Sequence, residues 1–302
     1  MRLEYLYYFK RLAETLNYTK AAKDLYVAQP TLSVAIKRME QELGFTLFER
    51  GNAGSGGTRL TEAGQLMYEH VSIALSSYEK GLAEARETLG NTNSKLRLGT
   101  LYCMQGRFFS QALSEFWESC SIHPTIKITQ AYSRELISSL HKGTIDVAFT
   151  SLIDEAKDLQ KVLCWSMPLV LAVNCNSKLA SKSFVTVEDL VDLNIITYGK
   201  NSPVYNSMNT FARSHGLKLM NSYEDEITMC SVVTANGDLS ALCCYSFLVK
   251  AFDEVKCLPI KGIPVDFHKI YLMSRKESQP RVVQEFIDFM SKYRFPNVFM
   301  SE

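Results

Sequence analysis

The sequence predicts an α+α/β protein with a small helical head closed by a β-hairpin, one long helix, and a C-terminal α/β domain of two lobes. Three observations predict it. Residues 1–58 carry apolar side chains at helical spacing, with one glycine-rich interruption near the end. Residues 60–89 repeat apolar positions every seven residues. Beyond residue 95, short strand-like runs alternate with amphipathic helical ones in two successive blocks.

In the head, Leu6, Phe9, Leu12, Ala13 and Leu16 recur at helical spacing and predict a first helix. A second is expected to begin at Thr19, as its N-cap, and to bury Ala22 and Leu25. Pro30 suits the first position of a third helix, where its missing N–H costs little, and Gly44 suits its stop. On a wheel of ~100° per residue, Leu32, Ile36, Met39 and Leu43 share one face, and Pro30, Val34, Lys37, Arg38 and Gln41 take the other. A short helix, a tight turn and a second helix with a narrow polar and basic face form a helix-turn-helix. Such a helix is slim enough for a DNA major groove. "FTLFER" and "TRLTEAG" flank "GNAGSGG", the pattern of a hairpin, or wing, with a loose tip. Nine basic residues against six acidic ones through Arg59 give this part +3 within a chain of net +1. Arg50 and Arg59 bracket the wing, where they could reach backbone phosphates.

Thr61 can cap the long helix that follows. Tyr68, Leu75, Leu82 and Leu89 are spaced by seven, with Val71, Tyr78 and Ala85 three residues after the first three, so the seam calls for a partner helix. The polar "GNTNSK" reads as a hinge. Then come a strand ("LRLGTL"), a helix over 107–119, a strand ("IKITQAY"), a helix ("RELISSLHKG") and a strand ("IDVAFTS"). "VLCWSMPLVLAVN" contains a further strand, "LNIITYG" another, and helices follow at about 204–215 and 227–236. "LSALCC", "HKIYLMSRK" and the amphipathic "RVVQEFIDFMSKY" close the chain. The alternation argues for mostly parallel sheets. The expected domains are 1–58, 59–90 and 91–302, the last split into about 91–162 plus 266–302, and about 163–265.

Composition excludes more than it identifies. At 302 residues, 46% apolar and 22% charged, the chain suits two soluble globular domains. "MRLEYLYYFK" lacks a secretory pattern and no run of about 18 uncharged apolar residues occurs, so a cytoplasmic protein without a membrane span is expected. The eight cysteines form no C-x-x-C pair and should be free thiols. The five histidines show no metal spacing, and neither a G-x-S-x-G nor a P-loop is present, so an enzyme is not expected.

The stretch "NYTKAAKDLYVAQPTLSVAIKRMEQELGFTLFER", followed by "TRLTEAG", resembles the winged helix-turn-helix of LysR-type transcriptional regulators. The shared features are Ala21, Ala22 and Leu25, then Gln29, Pro30 and Ser33, then Ile36, Glu40, Leu43, Gly44, Leu47, Phe48 and Arg50, and finally Leu60 to Gly64. The order of long helix, hinge and two-lobed domain also agrees, so the resemblance covers the whole chain. It implies a C-terminal part like the type II periplasmic binding proteins. Two departures bear on base preference: Val34 stands where a basic or polar residue is common, and the wing tip is unusually glycine-rich.

The DNA-binding candidates are Thr19, Gln29, Pro30, Thr31, Ser33, Val34, Lys37, Arg50 and Arg59. Gln29 and Thr31 open the recognition helix, Ser33 and Lys37 suit phosphates, and Val34 can touch a thymine methyl. The resemblance places an effector in the cleft between the lobes. Its candidates are Thr100, Tyr102, Cys103, Met104 and Gln105 at the end of the first strand, Ser202 and Tyr205 in the second lobe, and Thr129 and Ser151. A small organic, anionic effector is expected, held in part by helix N–H groups, with no cofactor and no metal. The implied partners are double-stranded DNA, a second copy through the 60–89 helix, a tetramer through effector domains, and RNA polymerase. Two rival readings remain: the same regulator with a cysteine-based redox sensor, and a solute-binding protein.

Overall fold

The computed structural model describes residues 2–50, 57–88, 94–104, 106–277 and 279–295. The chain forms two compact units, residues 1–91 with 141–144, and residues 92–140 with 145–302. The glycine-rich wing tip, Leu89, residues 90–93 of the expected hinge and Gln105 lie outside the described residues.

In the first unit, α1 (Leu3–Thr15) buries Tyr5, Phe9, Leu12 and Ala13 and ends at Leu16 in a left-handed conformation. Helix α2 (Tyr18–Asp24) is capped by Asn17, whose Oδ1 accepts from Lys20 N at 3.0 Å. Thr19 is therefore inside the helix and is not its cap, because the better capping residue sits two positions earlier. Ala21 and Ala22 are buried, and their small side chains let α2 pack closely on its neighbours. Helix α3 (Gln29–Leu43) carries Pro30 in its first turn, one place later than expected, and ends at Gly44 with φ +79°. Leu32, Ile36 and Met39 are buried with Ala35, as the wheel requires.

The wing is β1 (Phe48–Arg50) paired antiparallel with β2 (Thr58–Leu60). Glu40 on α3 fixes its entry, since Oε1 accepts from Leu47 N at 2.7 Å and from Phe48 N at 3.2 Å. Phe48 stacks edge-on against Phe9, centroids 5.6 Å apart, and ties the wing to the helical core. Helix α4 (Glu62–Thr88) starts at Thr61, whose Oγ1 accepts from Gly64 N at 2.9 Å. A side chain at Gly64 would meet the Leu47 carbonyl, so the close approach of α4 to the wing depends on glycine. Val71 and Leu75 of the expected seam pack into the head's own core, whereas Tyr78 and Leu82 remain exposed. The first half of the seam is thus absorbed within this unit.

The second unit holds two five-stranded sheets. Its elements are β3 (Lys95–Thr100), α5 (Arg107–Ser119), β4 (Thr125–Gln130), α6 (Ser133–His141), β5 (Val147–Ser151), β6 (Gln160–Met167), β7 (Leu169–Asn174) and β8 (Asn194–Tyr198). Then follow α7 (Tyr205–Ser214), β9 (Leu219–Tyr223), α8 (Glu226–Ala235), β10 (Leu239–Cys244), β11 (Val255–Pro259), β12 (His268–Ser274) and α9 (Arg281–Lys292). The first sheet has the order β4-β3-β5-β12-β6 and the second β11-β7-β10-β8-β9. Both are mixed, and not mostly parallel as expected. β3 pairs parallel with β4 and β5, and β8 with β9 and β10, but β6, β7, β11 and β12 all pair antiparallel. These four strands flank the passages between sheets, where the chain returns without a helical crossover. The apolar "VLCWSMPLVLAVN" makes two strands, divided at Pro168, so residues 163–167 belong to the first sheet and not to the second lobe.

Asp146 locks the base of the first sheet. It accepts from Arg97 N at 2.8 Å and from the Arg97 guanidinium, with its side chain buried. Both charges are matched, as burial demands.

Candidate functional sites

Helix α3 presents Gln29, Pro30, Thr31, Ser33, Val34 and Lys37 to solvent, with Val34 52% exposed. Thr19 on α2 and Arg59 on β2 are exposed as well. Arg50 is the last residue of β1, and its side chain lies outside the described set. Arg11, by contrast, is bound to Asp24 and Glu14. One exposed residue of this surface was missed. Tyr26, in the turn before α3, has φ +56° and is 96% exposed. A left-handed conformation strains a tyrosine by about 1 kcal/mol, so the turn holds a large aromatic ring outward at some cost. The "LYVAQP" pattern carried no signal for it, since tyrosine is not a residue that usually marks such turns.

Between the two sheets of the second unit lies a cavity of about 80 Å³. From the first lobe it takes the turn after β3, the start of α6, and the ends of β5, β6 and β12. From the second it takes Tyr198 at the end of β8, Ser202 to Val204 before α7, Glu224 to Ile227 at the start of α8, and Cys244. Four expected residues line it: Tyr102, Cys103, Ser151 and Ser202. Thr100 and Met104 do not. Both are wholly buried, Thr100 with its hydroxyl on Leu101 O at 3.3 Å. Thr129 is exposed on the edge strand β4, and Tyr205 opens α7 outside the lining.

Ser151 Oγ is 2.8 Å from His268 Nε2. Burial pushes the His268 imidazolium down to about 4, so the ring is neutral at physiological pH. Tyr198 OH accepts from Cys244 N at 3.0 Å and donates to Glu226 Oε2 at 3.4 Å. Burial raises the Glu226 carboxyl above the usual carboxylate range. Glu226 Oε1 and Ser133 Oγ are buried in the lining without a hydrogen-bond partner.

The lining contains Glu224, Asp225 and Glu226 and, among the described residues, no lysine or arginine. To a guest the described lining thus offers carboxylates and no cationic side chain. The acids follow directly on β9 in "YEDE", and a search for N-caps before the helix near 227 could have found Asp225. Its Oδ1 accepts from Thr228 N at 2.7 Å.

All eight cysteines are free thiols. Burial lifts Cys164 to about 11, and Cys243 is raised well above its ordinary value by its hydrogen bond with Cys230 and by burial. Thiols held protonated in this way are poor nucleophiles. No group of three or more metal-ligating residues and no helix long and apolar enough to cross a membrane occurs among the described residues.

Residues 3–65 match the family model described as bacterial regulatory helix-turn-helix protein, lysR family, and residues 90–294 match the LysR substrate binding domain. The HTH-type transcriptional regulator AlsR of Bacillus subtilis (strain 168) is 33% identical over 205 residues, 66% of this chain and 65% of AlsR. BudR of Raoultella terrigena, another HTH-type transcriptional regulator, is 29% identical over 195 residues, 64% of this chain and 66% of BudR. The crystal structure of full-length CbnR complexed with its target DNA superposes with a TM-score of 0.73 at 22% identity, covering 96% of this chain and 99% of that one.

Proposed function

Because the chain belongs to the LysR family of bacterial regulators, we propose that it binds double-stranded DNA through α3 and regulates transcription in response to a small organic effector held between its lobes. The observation that carries the reading is the outward face of α3, where Gln29, Thr31, Ser33, Val34 and Lys37 are all exposed over a buried Leu32, Ile36 and Met39. Gln29 and Thr31 stand at the end of the helix that meets base edges, Val34 offers a methyl contact, and Ser33 and Lys37 suit phosphates. Arg50 and Arg59 place the wing on the backbone, and Tyr26 adds a phenol beside the recognition helix.

Regulation follows from the two-lobed unit. A guest that binds one lobe arrangement better than another shifts the population toward it. Linked heads then change their spacing on DNA and the bend they impose. The exposed Tyr78 and Leu82 of α4 support pairing with a second copy, with tetramer formation through the second units. The setting is the bacterial cytoplasm, with RNA polymerase as the downstream partner.

Selection of bound fragments from genomic DNA tests the reading, and one enriched inverted-repeat site is the expected result. On that site Lys37→Ala should weaken binding evenly across sequence variants and lower the salt slope by about one. A chain without preference for any fragment would refute the proposal.

A further inference from the structure

The cavity between the lobes has an acid character that sets the chemistry of its guest. Glu224, Asp225 and Glu226 line it from the second lobe, and His268, the only basic side chain among its described lining residues, is neutral. Glu226 is 5% exposed, and its Oε1 closes no hydrogen bond although the buried Ser246 hydroxyl lies beside the carboxyl; Ser133, 3% exposed, keeps its hydroxyl without a partner. Each is an unfilled buried hydrogen-bonding position, and a buried carboxylate is best matched by a positive donor.

Three of the N–H groups near the cavity that could face an anion are already occupied. At the start of α8, Thr228 N donates to Asp225 Oδ1 at 2.7 Å, and at the start of α6, Tyr132 N donates to Glu135 Oε2 at 3.2 Å. Before α7, Val204 N donates to Ser202 Oγ at 3.3 Å. The chain thus answers these N–H groups with its own oxygens, and at α6 and α8 an incoming carboxylate would meet the fixed negative charge of Glu135 and Asp225. Tyr102 and Tyr132, ring centroids 5.5 Å apart and both partly exposed, stand in the lining, and aromatic faces attract cations.

We propose that the cavity takes a small organic amine, its ammonium group on Glu226 and its apolar part against Leu101, Met167 and Ile270. The inference rests on the effector reading of this cavity and narrows it to one class of ligand.

Three probes of nearly equal shape test it on the full chain at neutral pH: benzylamine, benzyl alcohol and benzoate, with butylamine, butanol and butyrate as the aliphatic set. Thermal shift and calorimetry should show each amine stabilising the protein and binding roughly tenfold or more tightly than its carboxylate. Glu226→Gln, which keeps the shape of the side chain, should fold at least as stably and lose the preference for amine over alcohol. A carboxylate that binds as well as its amine, an amine preference that survives in Glu226→Gln, or amines that do not bind at all would each overturn the inference. The effector reading fails on a separate result: a cavity-filling Cys103→Phe chain that folds and still switches its promoter as the unaltered protein does.

Discussion

Acidification should destabilise the second unit through His268. In the unfolded chain its imidazole takes a proton near 6.5, and in the folded protein only near 4, because burial disfavours the charged form. As pH falls below 6.5 the unfolded chain binds a proton that the native one refuses, so stability is lost progressively down to about 4. Each unit of difference is worth 1.36 kcal/mol, which gives a full penalty of about 3.4 kcal/mol and about 2 kcal/mol at pH 5. The residue is not wholly enclosed, so these are upper figures. For a unit of this size 2 kcal/mol corresponds to about 4–8 °C in Tm. Glu226 acts with the opposite sign, since its raised carboxyl holds a proton longer in the native state and favours folding as pH drops. The assay therefore compares Tm against pH for the unaltered protein and for His268→Gln, whose amide can still donate to Ser151. The variant should lose less stability than the parent on going from about pH 7.5 to 5. Parallel curves, or an imidazole proton resonance titrating near its ordinary 6.5, would refute the reasoning.

Three further outcomes are expected. Gly64→Ala should force α4 from the wing at a cost of about 1–3 kcal/mol, and should abolish DNA retardation while the circular dichroism of the chain stays largely intact. Asp146→Ala, which takes the buried carboxylate from the Arg97 guanidinium and from Arg97 N, should destabilise the second unit by about 3–5 kcal/mol in urea unfolding. Tyr26→Asn should relieve up to about 1 kcal/mol of backbone strain, raising the melting point of the head. DNA affinity measured by anisotropy should fall if the phenol touches the duplex.

Much of the fold was legible because its signals are local. The apolar period of α3 fixed its buried and exposed faces, the helical runs at α5 and α9 marked those helices, and Gly44 marked a stop that the structure keeps. The missed strands β9 and β11 are short, and β9 alternates between half-buried and exposed along a sheet edge, so neither builds an apolar run. Two strands hid in "VLCWSMPLVLAVN" because both are apolar, and only Pro168 separates them. Of the effector candidates taken from strand ends and turns, Tyr102, Cys103, Ser151 and Ser202 line the cavity. Thr100 failed because its side chain turns into the core at the end of its strand, and of the acids in "YEDE" only Glu226 is buried, a placement set by packing within the second lobe. Tertiary placement decides such residues, and no local period reports it.

The two passages between the lobes leave the first sheet side by side, since His268, where β12 begins, is paired with Met167, where β6 ends. Both residues also line the cavity. A guest bound there would press beside these passages, like a wedge set beside the pin of a pair of scissors. If the lobes turn there, small adjustments at the fulcrum would become large sweeps at the tips, and a modest molecule would gain leverage over surfaces it never touches.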